Sequence, residues 1–428
     1  MTIRINKRNL IHYILIYFLI VINQSCIYEY FLRDDIFRIG IFIIFSLLIV
    51  KSYKKTYNKY VEILAVLLAC TTLTRLIAGG IGLRAWIDYA IPIIVCVYTI
   101  RYDLDHFLER FIKITVFLAG IGLVFFIVQI MNPELLKDML PFKYATGFTY
   151  NVWDAGGNVT NVNYPGYGLF LYSYRASDAA MRNKGIFTES GICQMLYNSV
   201  MFVLLYFPEK TNLTTRQIKR CFAILIAAIV TVQSTTGYII SGCLLISYLL
   251  VRQKKKKSIK GYIASAVLVL GLGLIVDFSI RGTDSFFSIA ILKKIFGDNN
   301  QLEIQGSGMA RVEAILLSLG VMATNPFGVG ADNLMNLIAS NLVDGGGAGI
   351  FKFGATAGII PLLICMLFYI IPIAKSNSKR LIKILLLFMI FYTLSAQSNP
   401  FYPLLIIFPI YLLEAVKLRS MERSIANY

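Results

Sequence analysis

Charge is what this chain most lacks. Only 15% of its 428 residues are charged and 57% are hydrophobic, whereas about a quarter of a soluble globular domain is charged. That balance excludes an ordinary soluble enzyme and reads as a polytopic membrane protein. Acidic residues are the scarcest: 23 Asp and Glu face 41 Lys and Arg, for a net charge of +18. In a soluble chain this excess would point to nucleic acid. Here the basic residues sit in short segments between apolar runs, so they set orientation and no nucleic-acid partner is expected. Histidine is nearly absent. His12 and His106 both lie outside the two long hydrophilic stretches, and no Cys/His cluster has ligand spacing, so no structural or catalytic zinc is expected. The seven cysteines are odd in number and fall in or at the ends of apolar runs, which implies no disulfide framework. The first apolar run, Leu10 to Leu32, has basic flanks but no small-residue cleavage site, so it is expected to be an uncleaved anchor in a mature chain starting at Met1. An internal repeat or inverted duplication of hydropathy, the mark of many transporters, is also missing.

Apolar runs are what the chain has in abundance. A bilayer span needs about 20 apolar residues. The sequence therefore predicts an all-α fold of about twelve transmembrane helices, beginning near Leu10, Phe37, Tyr60, Trp86, Ile114, Ser190, Cys221, Gly237, Gly261, Phe353, Ile382 and Phe401. Basic residues mark alternate connections: Arg4, Lys7 and Arg8; Lys51, Lys54, Lys55 and Lys59; Arg101, Arg110 and Lys113; Lys210, Arg216, Lys219 and Arg220; then 252–260, 375–383 and 417–423. The positive-inside rule puts these segments and both termini in the cytoplasm and the hydrophilic stretches 132–189 and 281–350 outside. The run Lys254 to Lys257 is part of this topology signal and not a lipid or partner site. The chain, 1–428, is expected to form one transmembrane domain with two large outer loops.

Between Tyr144 and Tyr174 the first outer loop is rich in Tyr, Phe, Asn and Gly, with Trp153, Tyr164, Tyr167, Tyr172 and Tyr174. Aromatic faces and amides grip sugars, but an aromatic belt at headgroup level gives the same composition. The loop closes on Arg182-Asn183-Lys184-Gly185-Ile186-Phe187-Thr188-Glu189 ahead of a helix predicted from Ser190. With Thr188 or Ser190 as its cap, Glu189 sits at the helix's positive end, where an ionised carboxylate is favoured and could act as a base. With an earlier helix start, Arg182 and Glu189 lie about two turns apart on one face and pair. A salt bridge that only fixes the loop at the membrane edge is the structural alternative.

In the second loop Gly306-Ser307-Gly308 leads into a helix over Met309 to Ala323, with Val312, Ile315, Leu316, Leu319 and Met322 as an apolar stripe and Asn325-Pro326 as its end. It reads as an amphipathic helix at the outer surface. Ser307 as cap puts Arg311 in the first turn, where a planar guanidinium beside free backbone N–H groups suits a diphosphate. Snorkelling to lipid headgroups is the bland alternative. Gly328, Gly330 and Gly345 to Gly347 allow tight turns, close approach to a ligand or a mobile gate. Arg75, and Arg84 with Asp88, could add to an outer anionic pocket, or an Arg–Asp pair could satisfy itself. Asp103-Leu104-Asp105 matches the metal-binding Asp-x-Asp of nucleotide-sugar transferases, but it lies in a short basic cytoplasmic loop without a nucleotide-binding domain and is set aside.

Two patterns carry a resemblance. One is Arg182-x-x-Gly185-x-Phe187-x-Glu189 before a span, followed by Gln233-Ser234-Thr235-Thr236-Gly237 at an outer turn; the other is Arg311 followed by Asn325-Pro326-Phe327-Gly328-Val329-Gly330. Over nearly its whole length the chain resembles the superfamily of O-antigen polymerases and O-antigen ligases, and more closely the Wzy-type polymerases. It departs in having Ser190 where a proline often stands. The ligases use a histidine in the second large loop, and this chain has none on the outer face, which favours a polymerase. The resemblance implies a GT-C-like membrane glycosyltransferase of the bacterial inner membrane, which moves a growing glycan from undecaprenyl diphosphate to the non-reducing sugar of a new lipid-linked repeat unit without metal or cofactor. It implies Arg182 and Arg311 on the diphosphate and Glu189 as base. Arg75, Arg84, Lys184, Gly185, Asn325, Gly328 and Gly330 are assigned to substrate binding. Implied partners are the undecaprenyl-diphosphate-linked oligosaccharide, membrane lipid and a chain-length regulator protein. The rival readings are an O-antigen ligase or oligosaccharyltransferase, and a flippase of lipid-linked sugar. A flippase would need charge deep within the spans, whereas the charges here cluster at the outer edge.

Overall fold

The computed structural model describes residues 7–32, 34–54, 57–77, 83–153, 159–175, 182–251, 307–340, 348–397 and 399–426. The chain is mostly helical. In order come α1 (Lys7–Val21), α2 (Asp35–Ser52), α3 (Lys59–Ile77), α4 (Leu83–Tyr102), α5 (Leu104–Met131), α6 (Pro133–Met139), β1 (Phe142–Trp153), β2 (Val159–Leu169), β3 (Tyr172–Arg175), α7 (Ser190–Tyr206), α8 (Thr215–Val232) and α9 (Thr235–Val251). After them come α10 (Ser307–Thr324), α11 (Ala331–Ser340), α12 (Gly349–Ala357), α13 (Ile359–Lys375), α14 (Arg380–Ala396) and α15 (Pro403–Ala426). Helices thus overlap the expected positions, except that the run expected from Phe353 is divided at Gly358 into α12 and α13, and the helix expected from Gly261 lies outside the described residues. Among the described residues, α5 is the one helix long and apolar enough to cross a membrane; Ser190–Tyr206, Thr235–Leu249, Ile359–Lys375 and Pro403–Ala415 are apolar but shorter.

Packing divides the chain into two units: Met1–Ser52 with Ile94–Gln233, and Tyr53–Ile93 with Ser234–Tyr428. In the first unit α5 packs against α1, α6, α7, α8 and β3. Helix α7 is mostly apolar and buried from Ile192 to Leu205, with Gln194, Asn198 and Ser199 as polar residues inside that stretch. The apolar run from Leu10 does not form one long anchor. Helix α1 stops at Val21 because Asn23 turns its side-chain amide back onto the carbonyls of Leu19 (2.7 Å) and Ile20 (3.1 Å), and Gln24 adopts a left-handed φ of 55°. Where α1, α4 and α5 meet, Arg110 donates to Asp103 Oδ2 (2.7 Å), His12 Nδ1 (2.6 Å) and Asn9 Oδ1 (2.8 Å). A guanidinium accepts nothing, so His12 Nδ1 must be the acceptor, and His12 Nε2 carries the hydrogen that meets Thr99 O at 3.1 Å.

The segment between α5 and α7 holds a structure the helical reading missed. Asn132 caps α6 by accepting from Leu135 N at 3.0 Å, with Pro133 at its first position. The chain then forms an antiparallel sheet in the order β1-β2-β3. Phe142, Tyr144, Thr149, Val152, Val159, Thr160 and Val162 supply the aromatic and β-branched side chains that favour strands.

The second unit is built from α3, the start of α4, and α9 to α15, with α13 packed on α3, α12, α14 and α15. Its tightest feature is a backbone crossing. Val329 N donates to Ala355 O (2.9 Å), Gly330 N to Thr356 O (3.1 Å) and Ile359 N to Pro326 O (2.9 Å).

On several helices the large apolar side chains form an exposed stripe at helical spacing. These are Ile36, Ile43, Leu47 and Val50 on α2, Phe117, Val124, Ile127 and Met131 on α5, and Ile360, Leu363 and Leu367 on α13.

Candidate functional site

The segment 182–189 is almost wholly buried and pinned by its backbone. Asn183 donates its backbone N to Thr231 O (3.0 Å) and its side-chain amide to Thr231 Oγ1 (2.9 Å), and its Oδ1 accepts from Gly185 N (3.0 Å). Gly185 needs its left-handed φ of 55° to make that turn, and a side chain there would press on Cys193 Sγ and Tyr197 OH. Ser173 N donates to Gly185 O (2.7 Å), Cys26 N to Ile186 O (2.9 Å), and both N and Oγ1 of Thr188 to Gln24 O (3.1 Å). Thr188 therefore does not cap α7. Glu189 occupies the cap position with extended backbone, just ahead of the first helical residue Ser190, and makes no side-chain cap bond. The alternative of Arg182 and Glu189 paired on one helical face is excluded, because the residues between them are not helical.

Arg182 is half-buried, and its Nε has no hydrogen-bond partner. Its carbonyl accepts from Gln129 Nε2 (3.5 Å), and Tyr172 OH donates to Gln129 Oε1 (2.8 Å). No carboxylate pairs with Arg182 among the described residues. Lys184, at 3% exposure, is drawn inside the fold. Two of the loop's tyrosines turn out to be core. Tyr172 stacks on Phe125 with ring centroids 5.1 Å apart, and Tyr144 shares a 2.8 Å hydrogen bond with Ser173. Burial pushes both phenols above the ordinary value, against the opposing hydrogen bond in the case of Tyr144, so both stay protonated. They fix the loop and are not open to a sugar. The side chains of Trp153 and Tyr164 lie outside what is described.

Arg311 belongs to the second unit. Helix α10 spans Ser307–Thr324, so Arg311 stands at its fifth position, one residue deeper than with Ser307 as the cap. Its Nη1 donates to Thr236 Oγ1 at 3.1 Å, in the first turn of α9. Its side-chain contact is thus with the first turn of a different helix from its own. Arg311 has no carboxylate partner among the described residues. The stripe of Val312, Leu316 and Leu319 is exposed, and α10 instead buries Ala314, Ser318, Val321 and Met322.

Asn325 and the glycines after it shape the backbone crossing. Gly328 N donates to Asn325 O (2.8 Å), and the amides of Val329 and Gly330 are committed to carbonyls of α12. Gly328 has φ +80°, and a Cβ there would lie 2.4 Å from Thr356 O. The close approach that glycine permits is to the chain's own backbone. The side chains of Arg75 and Arg84, and all of Asp344 to Gly347, lie outside the described residues. No group of three or more His, Cys, Asp or Glu side chains gathers as metal ligands among the described residues.

Sequence reasoning missed Gln129 and Tyr172 as supports of Arg182, and Thr236 as the partner of Arg311. The only signal for the last was the Gln233-Ser234-Thr235-Thr236-Gly237 turn itself. No family model, curated protein or solved structure matches this chain.

Proposed function

We propose that this chain is a multi-span membrane glycosyltransferase that polymerises undecaprenyl-diphosphate-linked oligosaccharide repeat units into O-antigen or a related surface polysaccharide at the periplasmic face of the bacterial inner membrane. The bilayer is supported by the exposed apolar stripes of α2, α5 and α13, because a water-soluble monomer does not leave such continuous apolar surface exposed. The reaction rests on one observation: among the described residues neither Arg182, whose Nε has no hydrogen-bond partner, nor Arg311, whose Nη1 donates to the Thr236 hydroxyl, is paired with a carboxylate. A guanidinium without a carboxylate partner keeps its full charge for an incoming anion.

In this reading each arginine fork, within its own unit, binds phosphoryl oxygens of a lipid-linked substrate. The forks stabilise the negative charge that builds as the bond between the anomeric carbon and the diphosphate oxygen breaks. The acceptor sugar hydroxyl forms the new C–O bond and gives its proton to the Glu189 carboxylate. Polyprenyl diphosphate leaves, and the glycan is longer by one repeat unit. Gly185 forms the turn that follows Arg182, and Gly328 and Gly330 form the backbone crossing that follows α10. The test is complementation of a deletion strain with Arg182→Ala or Arg311→Ala. Folded variants are expected to cap lipid A with a single repeat, and wild-type polysaccharide banding on a gel would reject the assignment.

A further inference from the structure

We infer that Thr236 is the positioning residue for Arg311, holding its guanidinium with a neutral acceptor so that the cation stays aimed at the substrate diphosphate. The inference rests on the polymerase reading. Its basis is the 3.1 Å bond from Arg311 Nη1 to Thr236 Oγ1 between residues 75 apart in sequence. Thr236 is 6% exposed, and a β-branched side chain in a helix has few χ1 choices, so its hydroxyl is a fixed acceptor. The contrast with other buried hydroxyls of the same unit is informative. Those of Thr72, Ser241, Ser318 and Thr393 each donate to the carbonyl four residues before them. Thr236, in the first turn of α9, faces a guanidinium instead. It occupies one of the five N–H donors of Arg311 and leaves the others for phosphoryl oxygens beside a helix start that itself favours anions. A carboxylate at 236 would orient the arginine equally well but would cancel the charge the reaction needs.

The test uses full-length protein reconstituted in vesicles with an undecaprenyl-diphosphate-linked repeat unit, measuring kcat and KM for Thr236→Val, Thr236→Ser, Thr236→Asp and Arg311→Ala, with thermal unfolding to confirm that each is folded. Thr236→Val, which keeps shape and removes the acceptor, is expected to lower kcat/KM about tenfold to a hundredfold, the scale of losing the orientation of a charged group. Thr236→Ser is expected to recover most of it, and Thr236→Asp to be as inactive as Arg311→Ala despite normal unfolding. If Thr236→Val matches wild type while Arg311→Ala is dead, the positioning role is overturned and the polymerase reading stands. Equal losses in the Val and Ser variants would overturn it too, since packing alone would then explain Thr236. Full activity of Arg311→Ala would overturn the polymerase reading itself.

Discussion

Gly328→Ala is the sharpest probe of what the glycine motif after Asn325-Pro326 does. An alanine at φ +80° takes on about 1–2 kcal/mol of left-handed strain. Its Cβ would also lie 2.4 Å from Thr356 O and 2.6 Å from Gly358 N, both backbone atoms that no rotamer change can move. Relief requires the crossing to open, and Gly358, itself at φ +102° against the backbone of Phe327, cannot yield from the other side. Opening breaks two or three of the hydrogen bonds Val329 N to Ala355 O, Gly330 N to Thr356 O and Ile359 N to Pro326 O, at about 1 kcal/mol each. The sum is about 3–5 kcal/mol, a large share of the roughly 5–15 kcal/mol that holds a folded protein. Gly320→Ala in α10 is the control. A Cβ there meets nothing within 4 Å, so the helix should gain up to about 1 kcal/mol. Thermal and denaturant unfolding in detergent micelles measures both. Gly328→Ala within about 1 kcal/mol of wild type, a value far below the working above, would refute the close-crossing argument.

Three further outcomes are expected. Burial opposes ionisation of Asp103, but hydrogen bonds from His106 and Arg110 outweigh it and hold its carboxyl below the ordinary carboxylate value. Its stabilisation is therefore present above the ordinary pKa of about 3.9 and lost as pH falls through the lower folded value. Asp103→Ala should remove this acid-limb dependence and, by stranding buried Arg110, cost about 3 kcal/mol; an unchanged pH–stability curve would count against it. Gly168→Ala puts a Cβ 2.7 Å from that of Cys26 and should loosen β2, read as faster protease cleavage within 142–175. Equal cleavage rates would contradict that. Glu189→Gln should lower glycosyl transfer by about 10²–10⁴-fold while lipid-linked substrate still binds, and full turnover would remove Glu189 as base.

Helix positions were legible because apolar runs carry their own signal, but the break in the first run was not, because Asn23 and Gln24 are two polar residues inside an otherwise apolar stretch. The sheet was hidden. Its Tyr-, Asn- and Gly-rich strands have the composition of a ligand-gripping loop, and what makes them strands is pairing such as Tyr144 with Gly166, fixed only in three dimensions. The same holds within the candidate site. Arg182, Glu189 and Arg311 could be picked out by charge and local pattern. Their supports could not, because Thr231 is 48 residues from Asn183 and Thr236 is 75 from Arg311. Gly328 was visible as a residue permitting close approach, but sequence does not say whether the approaching group is a ligand or the chain's own carbonyl.

The most direct test of polymerisation is a gel of the products formed when the purified protein alone, in vesicles containing EDTA, is given a single undecaprenyl-diphosphate-linked repeat unit. A ladder of lengthening glycan that disappears with Arg311→Ala is the predicted result; material confined to one repeat, or a ladder that Arg311→Ala leaves intact, would contradict it.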